Sequence, residues 1–119
     1  MIRALIADPD LSTRRALALW LTYRFGIQDV VQVPDGNGLA ESLSLSVPDL
    51  ILMDWSIPNR PGQEFYAKIQ AKNPLLRWFI LSVNPDVPQG ADEVMMKFIQ
   101  KGSDLSELEA AIKEVIQLE

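Results

Sequence analysis

Asp54 closes the apolar run Leu50-Ile51-Leu52-Met53 and is followed by a turn-forming stretch, Trp55-Ser56-Ile57-Pro58-Asn59-Arg60-Pro61-Gly62. A carboxylate at the carboxyl end of a buried strand stands where open α/β sheets collect their ligands. The first apolar run, Arg3 to Ala7, also ends in acid: Asp8 and, past Pro9, Asp10. If both runs are central parallel strands, two or three carboxylates meet in one small volume. Such a cluster repels itself until a hard cation or a proton neutralises it.

Composition narrows the chemistry further. The chain has no cysteine and no histidine. Thiolate sites, disulfides, Ser-His-Asp triads, His-ligated zinc and imidazole acid–base catalysis are therefore excluded, leaving carboxylates, hydroxyls, Lys and Arg. A formal net charge of −5 with no run of Lys or Arg argues against direct nucleic-acid binding, which depends on cationic phosphate contacts. At 119 residues, 48% hydrophobic and 23% charged, one globular domain over residues 1–119 is expected. The opening apolar stretch is too short for a signal peptide or membrane span. Cytoplasmic residence and no membrane partner are the expectation.

The elements that must position these acids are legible as periodicity. Five short apolar runs, Arg3 to Ala7, Asp29 to Val33, Leu50 to Met53, Trp78 to Val83 and Val94 to Gln100, alternate with helically spaced segments. That alternation predicts a parallel sheet covered on both faces. A first helix is predicted over Ser12 to Phe25, ending at Gly26, with Arg14, Arg15 and Arg24 on a solvated face. A short second helix follows over Gly38 to Leu45, because Pro48 biases Val47 away from helix. The third starts after Pro61-Gly62, with Phe65 and Ile69 inward and Lys68 and Lys72 outward. For the last, Asp104 with Glu107 three residues on reads as an N-cap, and Leu105, Leu108, Ile112, Val115 and Ile116 form its apolar stripe. The segment Asn84 to Glu93 contains Pro85, Pro88 and Gly90 and is short for a helical crossover. A loop or single turn is expected there. Gly36-Asn37-Gly38 lacks the third glycine of a dinucleotide fingerprint and reads as a turn. Trp20, Trp55 and Trp78 read as packing residues.

Asp8 after the first strand, Asp54-x-x-Ile57-Pro58-x-x-x-Gly62 after the third, Ser82 at the end of the fourth and Lys101 at the end of the fifth stand in order. Together they resemble the receiver domain of two-component response regulators, over the whole chain. The resemblance implies a flavodoxin-like three-layer α/β sandwich with a five-stranded parallel sheet of order 2-1-3-4-5, the order the doubly wound class uses for receivers. Here its fourth helix would be shortened or absent. Lys101-Gly102-Ser103 resembles the subfamily that carries helix-turn-helix output domains. By position the resemblance makes Asp54 the phosphoacceptor. It assigns a Mg²⁺ site to Asp8, Asp54 and the backbone carbonyl of Ser56, with Asp10 as a further candidate, and phosphoryl contacts to Ser82 and Lys101. Phe98 takes the place of the switch aromatic. The implied partner is a sensor histidine kinase or phosphotransfer protein, and a C-terminal DNA-binding domain could follow in a longer parent. Homodimerisation through the face of the last helix is common in the family. The domain would be a phosphoacceptor switch rather than an enzyme, with at most self-catalysed transfer and hydrolysis.

Two departures bear on that reading. Where the family usually has its second adjacent acid, Pro9 stands, and a proline side chain cannot ligate a cation; reduced Mg²⁺ affinity is expected. Val83, beside Ser82, is branched where the family prefers a small residue. The alternative is a degenerate pseudo-receiver that keeps the fold and acts as a phosphorylation-independent protein-binding module. A flavin-binding domain shares the topology, but no Ser/Thr/Gly-rich phosphate loop follows the first strand.

Overall fold

The computed structural model describes residues 1–84, 96–102 and 105–117, and these form five strands and four helices. In chain order these are β1 (Arg3–Ala7), α1 (Leu11–Phe25), β2 (Asp29–Val33), α2 (Gly36–Leu45), β3 (Leu50–Asp54), α3 (Gln63–Lys72), β4 (Arg77–Ser82), β5 (Met96–Gln100) and α4 (Ser106–Gln117). All strand pairings are parallel and the sheet order is β2-β1-β3-β4-β5, the expected fold class. The expected loop over Asn84 to Glu93 falls largely outside the described residues, as do Asp104 as an N-cap and the start of the fifth strand at Val94.

Alternation of side chains along each strand sends residues to two separate cores. Leu5, Ala7, Ile51, Met53, Trp78 and Ile80 pack with Leu39 and Leu43 of α2 and Tyr66 of α3. Ala4, Ile6, Leu50, Leu52, Phe79, Leu81 and Ile99 pack with Leu21 of α1 and Leu108 and Ile112 of α4. β3, buried at every position, is therefore apolar on both faces, as a central parallel strand must be.

Helix ends explain where the observed elements depart from the expected ones. α1 begins one residue early, because the Asp10 side chain accepts from the Thr13 N–H and caps it; it ends at Gly26, whose φ of 70° is a left-handed cap that glycine takes without strain. α2 begins at Gly36 instead of Gly38: the Asp35 carboxylate accepts from the Gly38 N–H, so the expected Gly-Asn-Gly turn is the first turn of a helix. On α3 the fully buried side chain is Tyr66, while Phe65 and Ile69 are only partly buried. Leu105, expected in the core stripe, is 43% exposed. The arginines of α1 do more than face water. Arg24 pairs with Glu109 of α4, and Arg14 donates to the Asp8 carbonyl at 2.7 Å. Among the described residues no helix is long and apolar enough to cross a membrane.

Candidate functional site

Parallel pairing brings the carboxyl ends of the strands to one edge of the sheet. The β1–β3 register sets Ala7 opposite Met53, so Asp8 and Asp54, each the next residue, emerge side by side. This is the position where the connections leave the sheet in opposite directions, the usual ligand crevice of such folds. Both carboxylates are buried, at 1% and 5% exposure. Each makes the same local turn. Asp8 Oδ1 accepts from the Asp10 N–H at 2.8 Å and Asp54 Oδ1 from the Ser56 N–H at 2.7 Å, the Asx arrangement in which a carboxylate holds the backbone two residues on. Pro9, at the middle of the first of these turns, has a fixed φ suited to it.

That geometry leaves Oδ2 of each acid to the same partner. Lys101 Nζ donates to Asp8 Oδ2 at 2.7 Å and to Asp54 Oδ2. Lys101 is held in place from β4, its N–H donating to the Ser82 carbonyl at 2.6 Å. Burial alone would push the Asp54 carboxyl up, but the Lys101 ammonium and the two Ser56 donors outweigh it, and its pKa lies below the usual carboxylate range. Burial likewise pushes the Lys101 amine down, and the hydrogen bonds and charges of Asp54 and Asp8 reverse that, leaving its pKa above the ordinary lysine value. At neutral pH the site holds an ionised Asp54 and a protonated Lys101.

Of the other residues named from sequence, Asp10 is exposed and directed away: its Oδ2 accepts from the Thr13 N–H at 3.0 Å and from Thr13 Oγ1, and these bonds, the hydroxyl's first, hold its pKa low. Ser82 is half-buried at the end of β4, and its Oγ accepts from the Asn84 N–H at 3.1 Å instead of bonding to the acids. Phe98 is partly buried against the core shared with α2 and α3. Val83 is 76% exposed. The Ser56 hydroxyl was not anticipated. It donates to Asp54 Oδ1 at 2.5 Å, and the Asp-x-Ser spacing was the available signal. Nor was Arg60, whose guanidinium lies 3.8 Å from the Trp55 ring centroid.

Two adjacent buried carboxylates are hard oxygen donors of the kind that hold Mg²⁺ with water completing its shell, so the residues fit such an ion. The fit is minimal. Among the described residues no group of three or more acids gathers into a cation cage, and any ion would share its carboxylate oxygens with Lys101.

The sequence matches the response regulator receiver domain over residues 4–113. The chain belongs to that family. This receiver is 30% identical over 113 residues to the transcriptional regulatory protein PdtaR of Mycobacterium tuberculosis, covering 93% of this chain and 55% of that one. It is 34% identical over 74 residues to a protein-glutamate methylesterase/protein-glutamine glutaminase of Rhodospirillum rubrum, covering 62% of this chain and 20% of that one. The receiver thus spans between a fifth and about half the length of these curated relatives. Its fold is similar to that of the response regulator TrrA of Thermotoga maritima, solved in complex with Mg(2+)-BeF, with a TM-score of 0.80, 18% identity and coverage of 97% and 99% of the two chains.

Proposed function

We propose that this receiver accepts a phosphoryl group on Asp54 from a histidine kinase or phosphotransfer protein and thereby biases a protein-interaction surface. The observation that carries the reading is the shared grip of Lys101 on two buried acids at the carboxyl edge of the sheet. An Asp54 oxygen attacks the donor phosphorus, the bond from phosphorus to the donor nitrogen breaks, and its electron pair stays on the leaving imidazole. The Lys101 ammonium, already at Asp54 Oδ2, follows the negative charge onto the phosphoryl oxygens. Ser56 holds Oδ1 in place through two donors, leaving Oδ2 as the oxygen that Lys101 must yield for attack. Ser82, next to Lys101 across β4 and β5, can turn its hydroxyl toward a phosphoryl oxygen, and Phe98 is the aromatic whose packing would respond. Asp8, Asp54 and the Ser56 carbonyl would hold a Mg²⁺ ion, which would supply charge neutralisation when bound. Asp10, committed to capping α1, is not assigned to it. The domain acts in the cytoplasm as a switch rather than an enzyme, without touching nucleic acid itself. A DNA-binding output domain in a longer parent, and homodimerisation through the α4 face, belong to the same reading.

A second reading, a phosphorylation-independent docking module, draws on Pro9 and on an acid pair that Lys101 already bridges. One experiment separates them. Acetyl phosphate with Mg²⁺ should add one phosphoryl mass to the wild type and none to Asp54→Asn. An unmodified wild-type mass at saturating acetyl phosphate would select the docking module.

A further inference from the structure

Gly36 stands outside the acid site, yet no side chain fits there unless main chain moves. A Cβ built on it would lie 1.8 Å from the Asn59 carbonyl oxygen, 2.5 Å from the Asn59 carbonyl carbon and 3.0 Å from Arg60 Cα. All three are main-chain atoms, so no rotamer change could relieve the contact. The approach is also bonded, with the Gly36 N–H donating to the Pro58 carbonyl at 2.7 Å. The first turn of α2 therefore sits directly against residues 58–60. On that loop Asn59 holds a left-handed φ of 55°, Ile57 is anchored in the core at 4% exposure, and Arg60 stacks on Trp55. The same short segment carries Ser56, whose N–H and hydroxyl hold Asp54 Oδ1.

We infer that Gly36 is a positioning residue for Asp54, acting through the main chain of the loop that follows the acid. The inference rests on the phosphoacceptor reading and adds to it a residue of another element that touches neither acid. A methyl group at position 36 forces the main chain at Asn59 and Arg60 back by more than about 1 Å, and the shift reaches Ser56 and its two donors through Ile57, whose N–H donates to the Asp54 carbonyl at 3.3 Å. Gly62, at the end of the same loop, gives the contrast, for a Cβ there meets nothing within 4 Å.

The test compares Gly36→Ala, Gly62→Ala and wild type for labelling by acetyl phosphate, with circular dichroism and thermal unfolding run alongside. Gly36→Ala should stay folded and lose on the order of a hundredfold in the saturating labelling rate, the order expected when a reacting group is misplaced by about an ångström, while half-saturation is unchanged. Gly62→Ala should match wild type. Should Gly36→Ala fail to fold, Asn59→Val drives the loop out of its left-handed conformation from the solvent side, since a branched residue is strained at positive φ, and should show the same loss. A folded Gly36→Ala, or failing that a folded Asn59→Val, that labels at the wild-type rate overturns the inference. If wild type itself does not label, the phosphoacceptor reading is what has failed. In that event Trp55 emission still decides on Gly36, and an emission spectrum unchanged by Gly36→Ala overturns the positioning role.

Discussion

Each end of the sheet ties one basic residue to two acids, through a side chain and a main-chain N–H at the amino end and through a single ammonium at the carboxyl end, and the two arrangements differ further in access to water. At the amino end of the strands, Arg3 Nε donates to Asp29 at 2.8 Å, Arg3 Nη1 to Ser46 Oγ, and the Arg3 N–H to Asp49 at 2.7 Å. At the carboxyl end, Lys101 joins Asp8 and Asp54. The Arg3 and Asp29 side chains are 42% and 41% exposed, against 24% for Lys101, 1% for Asp8 and 7% for Asp54. Water screens the first set to little more than a brace across β1, β2 and the loop before β3. In the second, charges withdrawn from water depend on each other, and the loss of one strands the rest. The lesson is that burial, more than the inventory of charges, separates a cluster whose members depend on one another from one that water screens.

The comparison can be broken most forcefully at Lys101. Lys101→Ala should destabilise the fold by about 3 kcal/mol, the lower part of the range for removing one partner of a buried pair, since Lys101 keeps some solvent contact. Urea unfolding reads this directly, and a loss below about 1 kcal/mol would mean the carboxyl end is as well hydrated as the amino end. Pro9→Asp sharpens the contrast by adding a third acid beside the buried pair. Mg²⁺ should then bind on the order of tenfold more tightly, followed through Trp55 fluorescence, since carboxylate count tunes such sites. An unmoved midpoint would show that position 9 does not face the pocket.

A subtler difference lies in pH. Asp54 has a depressed pKa, so its contribution to stability is complete above the usual carboxylate range and is lost as pH falls through the depressed value. Lys101 has a raised pKa, so its contribution is complete below the ordinary lysine value and is lost as pH rises through the raised one. Full stability from the pair therefore spans neutral pH. Asp54→Asn should flatten the acid limb of a urea-midpoint profile below about pH 5, and identical limbs for mutant and wild type would remove the pair from the acid transition. The smallest effect belongs to the amino end, where Arg3→Ala should cost about 0.5 kcal/mol and fade in high salt. A cost of several kcal/mol would erase the distinction between the two ends.

Much of this was readable along the chain. Strand runs ending in acid at Asp8 and Asp54, helical spacing between them, the stop at Gly26 and the order of Asp8, Asp54, Ser82 and Lys101 are local signals, carried by periods of two and of three to four residues and by short-range turn chemistry. They were enough for the fold class and for Asp8, Asp54 and Lys101, which the fold brings together, whereas Asp10 and Ser82 are bonded elsewhere. Three things were decided only in the folded chain. Asp10 became the cap of α1, because the choice between capping and cation binding depends on which donors, Thr13 or the buried pair, lie nearer its carboxylate. Gly36 became the seat of a main-chain contact with Asn59, which no spacing rule announces. Lys101 came to bridge acids 93 and 47 positions away because the parallel registers of β1, β3, β4 and β5 end at one edge. Periodicity is a property of neighbours and survives in a linear string. Which distant side chains share one pocket depends on register and burial, and those exist only once the sheet has closed around its two cores.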